Sequence, residues 1–314
     1  MNSTKIPKNL NEVNHGNFKI KNHKNRSKNL KMNSKEKKLQ IWYTNADVLT
    51  REKLNELKDF IDSSNAPDII AITEIKPKNY KRVLSKSDYK LKGYLLEPVN
   101  LNVRNSTRGI AVYIRDTLNY DKINTEKLKD NLKSDISPKE ILSLIIDLKN
   151  GQKLNFIVMY RSPNNDDINN NKINKFFKNA INCPYDHQII VGDFNRKEID
   201  WTNMTSKSSE DYDFIEAVRD SYLTQHIKSP TRGRGTDQPS TLDLLFTSRE
   251  DAIESIKIES PLGKSDHSLI QMKYQFEPEN QRAKILFDHL KGDYEKMKEI
   301  LSIGKVIWQK VPAT

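Results

Sequence analysis

One cysteine, Cys183, in a chain of 314 residues forbids an intrachain disulfide and any cysteine-built zinc site. It points to a reducing, intracellular compartment with no disulfide-linked partner. No apolar run reaches the length of about 18 residues that a membrane helix needs, and the first residues lack the apolar stretch of a secretory signal, so no membrane association is expected. Apolar residues are scarce throughout, at 35% with a mean hydropathy of −0.78. That is too few for the whole chain to pack, so part of it is expected to stay unfolded. Acidic residues are almost missing from one end. Up to Lys38 only Glu12 and Glu36 oppose eleven lysines and arginines, and this stretch carries +9 of the formal +11. A basic arm on a near-neutral body suits a polyanion-binding tail attached to an acidic, metal-binding core.

Residues 1–37 mix Asn, Lys and Ser without apolar periodicity and are expected to be a disordered basic arm. It would serve either as a nucleic-acid tether or nuclear-import signal, or simply as a solvated tail. From Leu39 onward, short apolar runs alternate with helical stretches. Ile41 to Tyr43, Ile69 to Ile72, Ile110 to Ile114, Leu142 to Leu148, Phe156 to Tyr160, Ile189 to Val191, Leu242 to Phe246 and Leu269 to Phe276 read as strands. Several are apolar at consecutive positions, as expected where both faces of a sheet are covered. Thr50 can cap a helix carrying Leu54, Leu57, Phe60 and Ile61. A second helix sets Ile173, Phe176, Phe177 and Ile181 on one face, and a third runs from about Asp211 to Val218. The alternation implies one layered α/β domain over residues 38–276. Residues 277–314 read as a linker followed by an amphipathic helix with Tyr294, Met297 and Leu301 on one face, the start of something larger.

The strongest chemical signal is Ile189 to Asn195, where an apolar strand runs out through Gly192 into Asp193 and Asn195. Period-2 geometry sets both polar groups on one side of the strand exit. Phosphodiester cleavage needs a base or positioner for water and a neutral donor for the charge that develops on phosphorus, and Asp and Asn supply them. An acid at a strand end equally serves as a cap or turn former. Four further strand ends carry matching groups: Asn45 and Asp47, Glu74, Asp243, and Asp266 with His267. Mg²⁺ takes hard oxygen ligands and keeps several waters, which makes Glu74 the best ligand candidate, with Asn45 and Asp47 beside it. Asp243 can hold the His267 imidazole in one tautomer, while Asp266 suggests a local turn. His187 reads as a turn residue, His226 as structural, and Trp42 and Trp201 as core.

In this order the five blocks resemble the endonuclease/exonuclease/phosphatase superfamily, which includes apurinic endonucleases, pancreatic-type deoxyribonuclease and inositol-polyphosphate phosphatases. More narrowly, Tyr43 to Ala46, Ile72 to Lys78, Arg108 to Tyr113, Tyr160 to Asn164, Gly192 to Asn195 with Ile199 to Trp201, Gln225-His226 and Pro239 to Phe246 are similar to endonucleases of non-LTR (LINE-type) retrotransposons. The likeness covers about residues 40–276 and continues weakly through Gly292-Asp293-Tyr294 to Trp308. It implies a four-layer α/β sandwich, two mixed sheets packed face to face with helices outside. It also implies a Mg²⁺-dependent DNA endonuclease, with Mn²⁺ as a substitute, that nicks DNA to leave a 3′-hydroxyl, acts in the nucleus, and is fused or adjacent to a reverse transcriptase. By the same resemblance Glu74 is the main metal ligand, supported by Asn45 and Asp47, and Asp266 serves the metal or the leaving group. Asp193 deprotonates or positions water, Asn195 binds the scissile phosphate, and Asp243 orients His267 toward that phosphate. Tyr160 contacts the phosphate or serves the leaving group. Asn164 touches phosphate, and Arg161 stands beside it. An apurinic-type repair endonuclease or another phosphoesterase of the superfamily, and a non-catalytic nucleic-acid-binding remnant, are the alternatives.

Overall fold

The computed structural model describes residues 38–80, 84–101, 107–123, 137–148, 151–233, 235–236 and 238–276. The expected basic arm (1–37) and the segment 277–314 lie outside them. Two six-stranded mixed sheets form the centre. The first has the order β11-β12-β1-β2-β4-β3, with β1 Lys38–Asn45, β2 Ile69–Thr73, β3 Tyr94–Val99, β4 Ile110–Arg115, β11 Ile253–Glu259 and β12 Leu269–Gln275. The second has the order β5-β6-β7-β8-β10-β9, with β5 Tyr120–Lys122, β6 Ile141–Asp147, β7 Lys153–Tyr160, β8 His187–Asp193, β9 Thr224–Gln225 and β10 Asp243–Thr247.

Side-chain alternation along the strands builds the layers. Leu39, Ile41 and Tyr43 of β1 and Ile69 and Ala71 of β2 face Leu142, Leu144, Phe156, Val158, Ile189 and Val191 in the core between the sheets. Trp42, Ile70 and Ile72 point the other way and pack against α1 (Arg51–Ser63) through Leu54, Leu57 and Ile61. Ile157, Met159, Ile190 and Phe246 likewise face α2 (Asp167–Ala180) and α3 (Ser209–Asp220) through Ile173, Phe177, Phe214 and Val218. Each buried Leu, Ile or Phe contributes roughly 1.5–3 kcal/mol, so layers rather than local propensity hold these elements. Local signals still set the ends. Thr50 accepts from the Lys53 amide at the start of α1, and Asp166 and Ser208 cap the other two helices in the same way.

Two details differ from the sequence reading. Ile181 follows the end of α2 and is 54% exposed, because the helix stops at Ala180 before that side chain comes round to the core. His187 is no turn residue. It opens β8, is buried, and its Nδ1 accepts from the Tyr274 hydroxyl at 2.8 Å, a link between the sheets. No helix among the described residues is long and apolar enough to cross a membrane.

Among the described residues only two strand pairs are parallel, β1 with β2 and β7 with β8, each bridged by a helix. These four strands end, and β4, β6, β10 and β12 begin, at one rim of the sandwich, where polar groups at chain-distant strand ends can meet.

Candidate active site

Asp193 is the hub. It ends β8, is completely buried, and pairs in register with Tyr160 on one side and Asp243 on the other. Its Oδ2 accepts from Asn45 Nδ2 at 2.8 Å, a bond that crosses from one sheet to the other, and its Oδ1 accepts from the Asn195 backbone N–H at 2.9 Å. His267 Nε2 lies 4.0 Å from Asp193 Oδ2, and its Nδ1 donates to Asp243 Oδ2 at 2.7 Å. Asp243 is itself fixed, since its Oδ1 accepts from the Tyr43 hydroxyl at 3.0 Å and its amide donates to Thr231 Oγ1 at 3.0 Å. Ser265 closes the ring by donating to the Asn45 carbonyl at 2.9 Å and accepting from the His267 amide at 3.3 Å. Ligand atoms of Asp193, Asp243 and His267 lie within 4.8 Å of one another, a cluster that could hold a metal ion.

Burial drives the Asp193 carboxyl well above the usual carboxylate range; the Asp243 charge adds to this and the His267 charge partly offsets it. Burial works against a charged imidazole, yet the charge and hydrogen bond of Asp243, then Asp193 and Asp266, outweigh it and raise His267 from 6.5 to about 9. His267 thus holds a proton in the folded protein that the unfolded chain has released, and Asp193 gives up its own less readily than an exposed carboxyl does. Stability conferred by His267 is complete below pH 6.5 and lost as pH climbs to about 9, with Asp193 acting in the same direction. In chelator-treated protein this loss is expected to reach about 1–2 kcal/mol, or a few degrees of Tm. Thermal melts at increasing pH check it, and a flat profile through that window would contradict the proton-sharing arrangement.

A second group of acids flanks this hub. Glu74 stands just past β2, and its charge contributes to raising the pKa of Asp193. Its carboxylate pairs with Arg108, whose Nη2 also reaches Asp47 Oδ1 at 3.1 Å. The Lys53 ammonium donates to the carbonyls of Ala46 and Asp47, amid the charges of Asp47, Asp266, Glu56 and Glu74, and burial lowers its pKa. Asp266 Oδ1 is 3.9 Å from His267 Nε2, while its Oδ2 accepts from Arg232 Nε at 3.0 Å and Nη2 at 2.9 Å. Among the described residues Glu74, Asp47 and Asp266 do not gather into one group of close ligand atoms as Asp193, Asp243 and His267 do, and the Asn45 oxygen already accepts from the Asp47 amide at 2.9 Å. One guanidinium already bridges two of the carboxylates, so together they can hold positive charge. Glu74 and Asp47 thus offer hard carboxylate oxygens suited to a divalent cation, and Asp193, Asp243 and His267 form a second, buried group that could hold a metal ion.

Tyr160 ends β7 beside Glu74, and burial together with that charge keeps its hydroxyl protonated far beyond neutral pH. Asn195 has φ +50°, so the strand pleat does not continue through it. Its Nδ2 donates to the Arg161 carbonyl at 2.7 Å and its main-chain amide faces Asp193. Arg161 is buried, and its guanidinium donates to Asn170 Oδ1 at 2.8 Å, the Asn195 carbonyl at 3.2 Å and Glu210 at 2.8 Å, bracing the Asp193–Asn195 turn from behind. Asn164 is exposed on the loop after β7. Asp47, Glu74 and Asn195 all adopt positive φ, at 37°, 54° and 50°. Non-glycine residues rarely do so, and such backbone is characteristic of functional sites where surrounding contacts overdetermine it. Phe194 supplies one such contact, buried in an aromatic cluster with Phe214 at 5.6 Å and Phe246 at 5.5 Å.

Sequence reasoning assigned no role to Arg108, Glu140, Lys53 or Ser265. Glu140 is buried and its carboxylate accepts from the Arg108 amide at 3.0 Å and the Gly109 amide at 2.7 Å. Arg108 and Ser265 adjoin recognisable blocks and could have been flagged by position. Nothing in the sequence marks Glu140 or Lys53.

Residues 154–271 match the family model for endonuclease-reverse transcriptase. No curated protein matches the chain. Among solved structures it is similar to the endonuclease domain of TRAS1, a telomere-specific non-LTR retrotransposon, at 16% identity and a TM-score of 0.56, covering 76% of this chain and 99% of that one. It is also similar to an AP endonuclease from Leishmania major at 13% identity and a TM-score of 0.56, covering 77% and 89%. A third likeness is to a 3′ phosphatase from Neisseria bound to a product DNA hairpin, at 14% identity and a TM-score of 0.52, covering 76% and 100%.

Proposed function

From a chain that carries the endonuclease/exonuclease/phosphatase fold of phosphoester hydrolases and, over residues 154–271, the endonuclease-reverse transcriptase signature, we propose a Mg²⁺-dependent DNA endonuclease that nicks one strand and leaves a 3′-hydroxyl. The observation that carries this reading is the buried Asp193, tied to Asn45 across the sheets and facing an imidazole that Asp243 fixes at 2.7 Å.

Asp193 takes a proton from the attacking water, and its burial makes that carboxylate a stronger base than an exposed one. His267, charged and oriented by Asp243, donates to the scissile phosphate together with the Asn195 amide. The imidazole is held by Asp243 at 2.7 Å before the charge develops, while Asn195 Nδ2 keeps one hydrogen on the Arg161 carbonyl and offers the other to the phosphate. Water oxygen bonds to phosphorus, the P–O3′ bond breaks, and the departing 3′ oxygen takes a proton from solvent water beside Tyr160. Glu74 and Asp47 would hold Mg²⁺, with Mn²⁺ as a substitute, and the bound ion supplies charge neutralisation at the phosphate. In a retroelement the 3′-hydroxyl primes synthesis by a fused or adjacent reverse transcriptase, which sets the work in the nucleus.

Supercoiled plasmid with Mg²⁺ is expected to give open circles whose nicks support extension by a DNA polymerase without prior end repair. Abasic duplex and phosphoinositide run beside it separate repair-type and phosphatase activity. Turnover confined to either of those, or DNA binding with no Mg²⁺-dependent turnover at all, would refute the proposal.

A further inference from the structure

Arg108 combines features that a purely structural arginine does not need. Its side chain is only 16% exposed and reaches Glu74 and Asp47 together, the two carboxylates proposed above for the cation. Its Nε is sealed from solvent with no acceptor, a donor that stays unsatisfied until something completes it. Its charge also bears on the Tyr160 hydroxyl, so the guanidinium lies near the end of β7. The backbone beneath it is clamped: Glu140 accepts from the amides of Arg108 and Gly109, and Gly109 turns at φ +76°. The side chain can therefore pivot about a fixed point. A guanidinium and a divalent ion cannot share Glu74 without strong repulsion, and the planar fork of arginine matches phosphate oxygens.

We infer that Arg108 is a substrate-phosphate ligand that occupies the carboxylates of Glu74 and Asp47 until a divalent cation takes them, and then turns its fork onto the scissile phosphate. This rests on the nuclease reading for the identity of the phosphate, whereas the competition with a cation is measurable without any turnover.

Calorimetric titration with MnCl₂ of wild type, Arg108→Gln and Arg108→Lys tests it. Removing the guanidinium takes one positive charge away from both carboxylates, and solvent at this partly open rim screens the effect. Arg108→Gln is therefore expected to bind Mn²⁺ roughly tenfold more tightly, while KM for plasmid DNA rises. Arg108→Lys keeps the charge but loses the fork, so it is expected to bind Mn²⁺ much like wild type with the same rise in KM. Unchanged or weaker Mn²⁺ binding by Arg108→Gln overturns the inference, as does unchanged KM in both variants. Arg108→Met gives a second neutral side chain should Gln fail to fold. Mn²⁺ bound by no variant and not by wild type would instead overturn the cation site itself.

Discussion

Asp193→Asn is expected to fold and to nick DNA roughly 10²–10⁴-fold more slowly than wild type, the usual contribution of a general base. The substitution is close to isosteric in a fully buried position. It removes a carboxylate that burial and Asp243 both disfavour in its charged form. It also turns one acceptor toward the donors Asn45 Nδ2 and Asn195 N–H into an amide nitrogen, losing one hydrogen bond of about 1 kcal/mol. Those effects oppose each other, so melting temperature changes little while proton abstraction is abolished. A cleavage rate within tenfold of wild type would sink Asp193 as the base. His267→Ala is expected to stop nicking as well, but it leaves Asp243 without its 2.7 Å partner and so mixes lost chemistry with lost stability.

Gly192→Ala is the second large effect, and it strikes the fold. A Cβ at Gly192 would stand 1.9 Å from the Met159 carbonyl oxygen and 2.8 Å from its carbon. These are backbone atoms of the neighbouring strand and cannot swing aside as a side chain would, so β7 and β8 must move apart. A destabilisation of about 3 kcal/mol or more is expected, at the upper end of overpacking costs. Gly233→Ala, whose Cβ meets nothing within 4 Å, is the matched control and should melt like wild type. Equal melting temperatures for the two variants would contradict the close approach. The same approach aligns Tyr160 with Asp193 in register, so a tolerated but strained Gly192→Ala would also lower the nicking rate.

Strands apolar on both faces were legible in the sequence because their neighbours cover them on either side. Ile69 to Ile72 and Ile189 to Val191 are fully buried in the structure. Edge strands were not. Tyr94–Val99 is half-buried along its length and contains Pro98, and Ile253–Glu259 alternates isoleucine with charge, so neither forms an apolar block. Helix α1 was readable from Thr50 with Leu54 and Leu57, since a cap and a 3.6-residue stripe are local. At the rim, Asn45, Glu74, Asp193 and Asp243 could be picked out because each adjoins an apolar run. Glu140 acts on the Arg108 amide, 32 residues away in the chain, and Tyr43 on Asp243 across 200, and no local pattern encodes such partnerships. Asn195 shows the limit of periodicity itself. The alternation that sets it beside Asp193 ends at the strand terminus, and a left-handed turn decides where its amide goes.

The Asn45–Asp193 bond joins residues from opposite halves of the sandwich. Neither half alone therefore contains the proposed centre, and a slip of one sheet along the other by a fraction of a residue would dismantle it while leaving every strand paired. Loss of activity under mild denaturant should accordingly precede the disappearance of secondary structure, because the catalytic geometry registers how the two halves are seated and not whether each is formed.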